Sequence, residues 1–317
     1  MLRYQLSESD LGGVRFGISP LCELGLSLRS VSHPERYPLQ LPWLARTESL
    51  RRDLDGAALS ALVNERLWTP DFLNPRPASP LTRIDDEFAV LDGISSQTFR
   101  SGLLSIHTEL PDVFAGPPKQ AIRRMTSALR EYWEACLKPH WPRMRAILEA
   151  DIVHRGRVIA HDGLAAMLNG ISSAVSYERG VVSVALSAPD SRIEHAGGSG
   201  VTLVPTMFTR RASAPIGAGE APLIMYPARG QGTMWAVETG QRSTALENLI
   251  GARRTELLTA LRSPASSTEL GIRFGISASA VNQHLRALAD AGLVTSTRYG
   301  HSVLYFRSEL GQALSGA

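Results

Sequence analysis

Read as a string of apolar and polar positions, the chain has helical spacing at its start, alternation in its middle and helical spacing again towards its end. Ser19-Pro20 opens the first helical stretch, because Ser is a favoured N-cap and Pro a favoured first helical residue. The run LCELGLSLRSV continues it until His33-Pro34 stops it. The Pro-rich, apolar run 34–47 predicts a packed loop, residues 55–68 a further helix, and the Pro- and Ser-crowded run 70–80 a surface connection. Ile122, Met125, Leu129, Trp133 and Cys136 lie near helical spacing, as do Met144, Ile147, Leu148 and Val158. They predict helices over 119–137 and 142–160.

The period then changes to two. Val175-Ser-Tyr177 and Val182-Ser-Val184-Ala-Leu186 alternate around Glu178-Arg179-Gly180, which predicts a β-hairpin. Runs 201–208 and 222–228 read as two more strands, separated by the polar loop TRRASAPIGAGE. Residues 1–238 therefore read as a mainly helical region with a small antiparallel sheet. The polar, Gly-containing run 238–244 reads as a hinge, with a second domain over 244–317. The fold class expected is α+β.

In the second domain Leu246, Leu249, Ile250, Leu257, Leu258 and Leu261 form an apolar stripe, interrupted by Arg253-Arg254 and ended by Ser263-Pro264. A short helix over 267–274, capped by Ser266 or Ser267, runs into Gly275, which accepts the positive φ of a tight turn. Ser277 then caps a third helix, ASAVNQHLRALADAG. This is the spacing of a helix–turn–helix. Val281, Leu285, Leu288 and Ala289 mark the packed side of the third helix, and Ser279, Asn282, Gln283 and Arg286 the opposite side. Asn and Gln side chains match adenine in a major groove, and Arg matches guanine. VTSTR and SVLYFR, joined by Tyr299-Gly300-His301, read as a hairpin with Arg298 and His301 at its tip, within reach of phosphate or a minor groove. The candidate DNA-contacting set is thus Ser277, Ser279, Asn282, Gln283, Arg286, Arg298 and His301.

The run SASAVNQHLRALADAGLVTSTRYGHSVLYF resembles the winged helix of ArsR-like transcriptional regulators, with its Ser-rich turn, its HL..L..AGLV recognition helix and a wing with Gly at the tip. LIGARRTELL resembles the first helix of that family, and the resemblance covers about 244–308. It implies a dimeric repressor whose DNA affinity is lowered by an effector. Two departures qualify this. The metal-sensing members carry Cys pairs on the second of these helices or Asp and His ligands on a C-terminal helix, and neither STELGIRF nor SELGQALSGA offers them. The short tail also removes part of the usual dimer surface, which shifts dimerisation towards the N-terminal part. Residues 1–238 resemble an uncharacterised domain of actinobacterial regulators with this architecture, which implies no activity.

The pentapeptide RFGIS occurs twice, at 15–19 and 273–277. Only the second has helices before it, so the repeat reads as shared local chemistry rather than duplication. Each copy supplies an apolar anchor, a Gly and a Ser N-cap.

Composition narrows the function classes. The 317 residues are 44% hydrophobic and 20% charged, which suits a globular chain of about two domains. No apolar run is long enough for a membrane helix, and MLRYQLSESDLGG has no signal-peptide core. Cys22 and Cys136 are too few and too far apart for a disulfide framework or a zinc site, which points to a reducing cytoplasm. A net charge of +3 is too small to coat DNA, so nucleic-acid binding must come from a local arrangement. Lys119 and Lys138 are the only lysines, an Arg bias that points to a GC-rich bacterial genome.

Other chemistry is weaker. His154 and His161, with Asp151 and Asp162 nearby, have the spacing of a possible ligand pair, but a surface His pair is the better reading. Gly197-Gly-Ser-Gly200 lacks the spacing of a nucleophile elbow, and Gly217-Ala-Gly219 lacks the third Gly of a dinucleotide fingerprint. Arg210-Arg211 reads as a solvated loop that could neutralise an acidic effector. Trp133, Met207, Met225, Tyr226 and Trp235 read as core. The expectation is a cytoplasmic DNA-binding regulator without enzyme activity, metal or cofactor. It would be a homodimer on an inverted-repeat operator, with a small-molecule effector and no membrane partner. An enzyme fused to a regulatory module, or a winged helix used for protein contacts, are the alternatives.

Overall fold

The computed structural model describes residues 1–77, 79, 82–186, 191–217, 219, 221–234, 246–261, 264–299 and 302–315. The chain divides into two compact units, Met1–Trp235 and Ala236–Ala317. The hinge expected over 238–244, and Trp235, lie outside the described residues.

The first unit begins with strand β1 (Leu2–Gln5), whose alternating burial puts Leu2 and Tyr4 inside. Helix α1 (Glu8–Gly12) and the two-residue strand β2 (Arg15–Phe16) follow. Helix α2 (Pro20–Ser32) starts where expected: Ser19 accepts a hydrogen bond from the Cys22 amide, and Arg29 O bonds the His33 amide at its end. Ten of its residues are buried, so α2 is a central helix rather than an amphipathic surface one. Within 34–47 the structure differs from the packed loop expected, because Leu41-Pro42 opens helix α3 (Leu41–Arg52). The helix expected over 55–68 is only α4 (Gly56–Ser60). The segment expected to be a surface connection instead buries Leu73 and Asn74. Helices α5 (Ile84–Asp92), α6 (Ser96–Leu104) and α7 (Pro118–Tyr132) complete a helical core around Trp43, Phe88, Phe99, Met125 and Leu129. Helix α8 (Trp141–Gly170) runs well beyond 160, with a non-helical break at Gly163.

The small antiparallel sheet expected here is in fact two sheets. β3 (Val175–Glu178) and β4 (Val181–Val184) form the expected hairpin, with Arg179 and Gly180 both at positive φ in a two-residue turn. That hairpin joins β1 and β5 (Arg192–His195) in the order β3-β4-β1-β5, with β1 and β5 parallel. β6 (Thr202–Thr206) and β7 (Leu223–Pro227) pair in parallel with each other, and β2 pairs in parallel with β6. Every residue of β6 is buried, as a strand covered on both faces requires. The loop between β6 and β7 is therefore a crossover, not a hairpin turn. A second core, with Tyr4, Met167, Val182, Leu203 and Tyr226, lies against these sheets.

The Gly-rich loop 197–200 has a packing role. Gly200 has φ +65° and lies so close to Gly13 that a Cβ on it would sit 2.2 Å from the Gly13 carbonyl oxygen. Its amide donates to Asp10 Oδ1 at 3.0 Å.

The second unit contains helical residues 246–250 and then helix α9 (Ala252–Ala260), separated at Gly251. Strand β8 (Ala265–Ser266), helix α10 (Ser267–Phe274), helix α11 (Ala278–Asp290), strands β9 (Val294–Tyr299) and β10 (Ser302–Arg307) and helix α12 (Glu309–Ser315) follow. The three strands form one antiparallel sheet in the order β8-β10-β9. Leu257, Leu258, Leu270, Val281, Leu285 and Leu288 share its core.

Candidate nucleic-acid interface

Two serines set the ends of the helix pair. Ser266 caps α10 by accepting from the Glu269 amide, while Glu269 accepts from the Ser266 amide at 2.6 Å. This reciprocal capping box satisfies two amides that the helix itself leaves open, and the bonds from Ser266 hold the Glu269 carboxyl below its ordinary value. The chain then leaves α10 through Gly275, at φ +65° and ψ +32°, a left-handed conformation that a Cβ would strain. Ser277 restarts the helix by accepting from the Ala280 amide at 3.2 Å.

The two copies of RFGIS fold differently. In the first, Arg15 and Phe16 form β2, and Gly17 packs so tightly on Pro77 that a Cβ would meet its ring at 2.4 Å. In the second, the Gly is the left-handed turn between two helices. Only the Ser is used alike, as Ser19 caps α2 and Ser277 caps α11.

Val281, Leu285 and Leu288 are buried at 0–1% exposure and fix α11 to its neighbours. Ala289, expected on that side, is exposed, because the buried stripe is narrower than its spacing suggested. Ser279, Gln283 and Arg286 are exposed on the other side. With Asn282, Ala287 and Asp290 they line a concavity of about 400 Å³. Asn282 differs from the rest: it is half-buried, and its Oδ1 accepts from the Tyr305 hydroxyl of β10 at 3.2 Å. Asn282 therefore links this face of α11 to the β9–β10 hairpin. Ser277 and Ser279 share a hydrogen bond of 3.0 Å at the N-terminal end of the face.

Arg298 is exposed on β9, opposite Val303. His301 and Gly300 lie outside the described residues. The structure thus brings Ser279, Asn282, Gln283 and Arg286 together on one helix, with Ser277 as its N-cap, and places Arg298 on the β9–β10 hairpin.

Residues 254–297 match the family described as "Helix-turn-helix domain". The C-terminal unit contains a helix–turn–helix domain, similar to that of ArsR-type regulators. Residues 112–232 match a family described as "Family of unknown function (DUF5937)", which takes in α7, α8 and both sheets' later strands. No protein of curated function matches the chain. A solved chain titled "Crystal structure of Possible transcriptional regulator for arsenical resistance" is 31% identical over 23% of this chain and 75% of its own length, with a TM-score of 0.19.

Sequence reasoning missed two residues that shape the helix–turn–helix domain. Tyr305 is one. The other is Arg307, which is 7% exposed and donates from Nε to Leu258 O at 2.7 Å and from an Nη to Thr259 O at 2.5 Å. These carbonyls lie in the last turn of α9, where the helix has no amide to offer them. A charged residue at a strand end gave no sign of this.

The ligand-pair reading for the N-terminal histidines has another outcome. Asp151 is buried, accepts from the Tyr226 hydroxyl at 2.7 Å and from the Arg229 amide at 3.0 Å, and His154 bonds the Arg229 guanidinium. Among the described residues no group of three His, Cys, Asp or Glu side chains is placed to hold a metal, and no helix is long and apolar enough to cross a membrane.

Proposed function

We propose that the chain is a sequence-specific DNA-binding transcriptional regulator, a repressor rather than an enzyme, that works as a homodimer. The observation that carries the reading is the exposed face Ser279–Gln283–Arg286 on the helix that follows the Gly275 turn. A helix so placed presents its N-terminal half to a major groove, while the β9–β10 hairpin reaches along the backbone. Gln and Arg there can each make a bidentate contact with one base. Exposed Leu249, Leu310 and Leu314 give the helix–turn–helix domain apolar surface for a second copy. A dimer would set two reading helices about 34 Å apart, on an inverted repeat. The first unit then supplies effector control: a ligand with different affinity for the free and DNA-bound forms shifts operator occupancy by that difference.

The test is fluorescence anisotropy of the full chain on the DNA upstream of its own gene, against scrambled DNA, at two salt concentrations. Specific binding that weakens steeply with salt, and is lost in the Gln283→Ala, Arg286→Ala double variant, supports the reading. A double variant that binds as wild type overturns it.

A further inference from the structure

The first unit holds a pocket whose lining is unusual in charge. It has a volume of about 370 Å³, in the range of small-molecule sites. Six arginines line it and no Asp or Glu does, among the described residues. Arg192 is already engaged: it pairs with Glu194 at 2.6 Å and donates to the carbonyls of Pro215 and Gly217 at 2.7 and 3.1 Å, which fixes the loop between β6 and β7. Asp71 also holds that loop, accepting from the Ile216 and Gly217 amides. The other five, Arg29, Arg36, Arg66, Arg210 and Arg211, have no ion-pair partner among the described residues.

Arg29 is the telling one. It projects from the buried helix α2, and its Nη atoms donate only to hydroxyls, Ser213 Oγ and Thr69 Oγ1, each at 3.2 Å. Its Nε is buried with no hydrogen-bond partner. In the same lining, Thr209 is 4% exposed and its Oγ1 has no hydrogen-bond partner. A guanidinium taken out of water without a direct ion pair is costly, with only the Asp71 carboxylate acting on it from farther off, and an unpaired buried hydroxyl adds to that cost. Burial accordingly pulls Arg29 below its ordinary value. A bound anion would complete such an arrangement.

The walls show what else the ligand carries. Leu67, Trp68, Leu186 and Ile216 give apolar and aromatic surface, and Arg66 lies over the Trp68 ring at 5.4 Å. We infer that this pocket binds a small organic anion, with its carboxylate or phosphate against Arg29 and Thr209 and an apolar or aromatic body against Leu67 and Trp68. Binding there is independent of how the helix–turn–helix domain acts. Only the role of the anion as the effector rests on the regulator reading.

Isothermal titration calorimetry of the full chain without DNA tests the site, with benzoate and phenyl phosphate as probes and benzamide as the uncharged control. At least one anion should bind with a sub-millimolar Kd, and benzamide should bind at least tenfold more weakly. A preference for benzoate assigns a carboxylate, and a preference for phenyl phosphate assigns a phosphoryl group. Arg29→Gln and Thr209→Val should each weaken binding, the first by tenfold or more. If Arg29→Gln does not fold, Thr209→Val carries the test, and the exposed pair Arg66→Gln, Arg210→Gln should weaken binding by lowering the positive charge of the same lining. Binding of neither anion at millimolar concentration, equal binding of benzamide, or variants that bind as wild type would overturn the site. An anion that binds at this site yet leaves operator anisotropy unchanged overturns only its role as effector.

Discussion

The hydroxyl of Tyr305 donates to Oδ1 of Asn282 across 3.2 Å, joining the return strand of the wing to the middle of the reading helix. The bond fixes which end of the Asn282 amide faces outward, so the nitrogen is presented as a donor. Tyr305→Phe keeps the half-buried ring and removes only the hydroxyl. Its expected cost to stability is about 1 kcal/mol. Operator affinity should fall several-fold while non-specific affinity and the salt slope stay unchanged, because no phosphate contact is removed. Anisotropy on operator and scrambled DNA separates the two effects.

Arg307 closes α9 from outside. Replacement by Met leaves the Leu258 and Thr259 carbonyls to find other donors, at a cost of roughly 2–4 kcal/mol for two bonds from a charged group. Lys should rescue little, since one ammonium on a flexible stem does not match the two-pronged contact. Far-ultraviolet circular dichroism followed through urea unfolding checks this. A Lys variant as stable as wild type would show that charge alone is what matters there.

What was readable in the sequence depended on how local its cause was. The Ser caps at positions 19 and 277 and the Gly275 turn depend on neighbours three or four residues away, and the sequence pattern placed them. The face Ser279, Gln283 and Arg286 was legible for the same reason, because a 3.6-residue period sorts one helix into two sides. Asn282 was not fully legible, since its partner is twenty-three residues on, in β10. The parallel pairing of β6 with β7 was equally hidden: two apolar runs look alike whether they pair head to head or head to tail. The arginine-lined pocket was the least legible. Its members span positions 29 to 216, and of these only Arg210 and Arg211 stood out as a pair.

The contact between Gly200 and Gly13 makes a sharp test of the N-terminal sheets. Gly200→Ala imposes a Cβ at φ +65° and drives it to 2.2 Å from a backbone oxygen that no rotamer can move aside. A loss of about 2 kcal/mol or more is expected, since strain and displacement of the β1–β2 region add. All five Trp residues fall within Met1–Trp235, so the fluorescence unfolding midpoint reports on this unit alone. Gly197→Ala, with open space around its Cβ position, is the control for positive φ without the clash.

Two buried carboxyl groups should make the stability of the first unit depend on pH in an unusual direction. Burial pushes Glu23 up to about 8, although it accepts bonds from the Met207 amide. Burial likewise raises Glu87 to about 7, against its bonds from Ser19 and the Leu21 amide. In the unfolded chain both lose their proton near the ordinary Glu value of 4.5. Between that value and the raised one the folded state binds more protons than the unfolded state, so stability falls as pH rises. Each group contributes a slope of at most about 1.4 kcal/mol per pH unit, over 4.5 to about 7 for Glu87 and 4.5 to about 8 for Glu23. His140 and His154, both held below their ordinary value, act with the opposite sign at the acid end of this window. The comparison of wild type with Glu23→Gln removes that contribution, because both proteins share it. Urea midpoints read by Trp fluorescence at pH 5.5, 7 and 8 should fall more steeply for wild type than for the Gln variant. Parallel curves for the two proteins would show that Glu23 is already ionised in the folded unit.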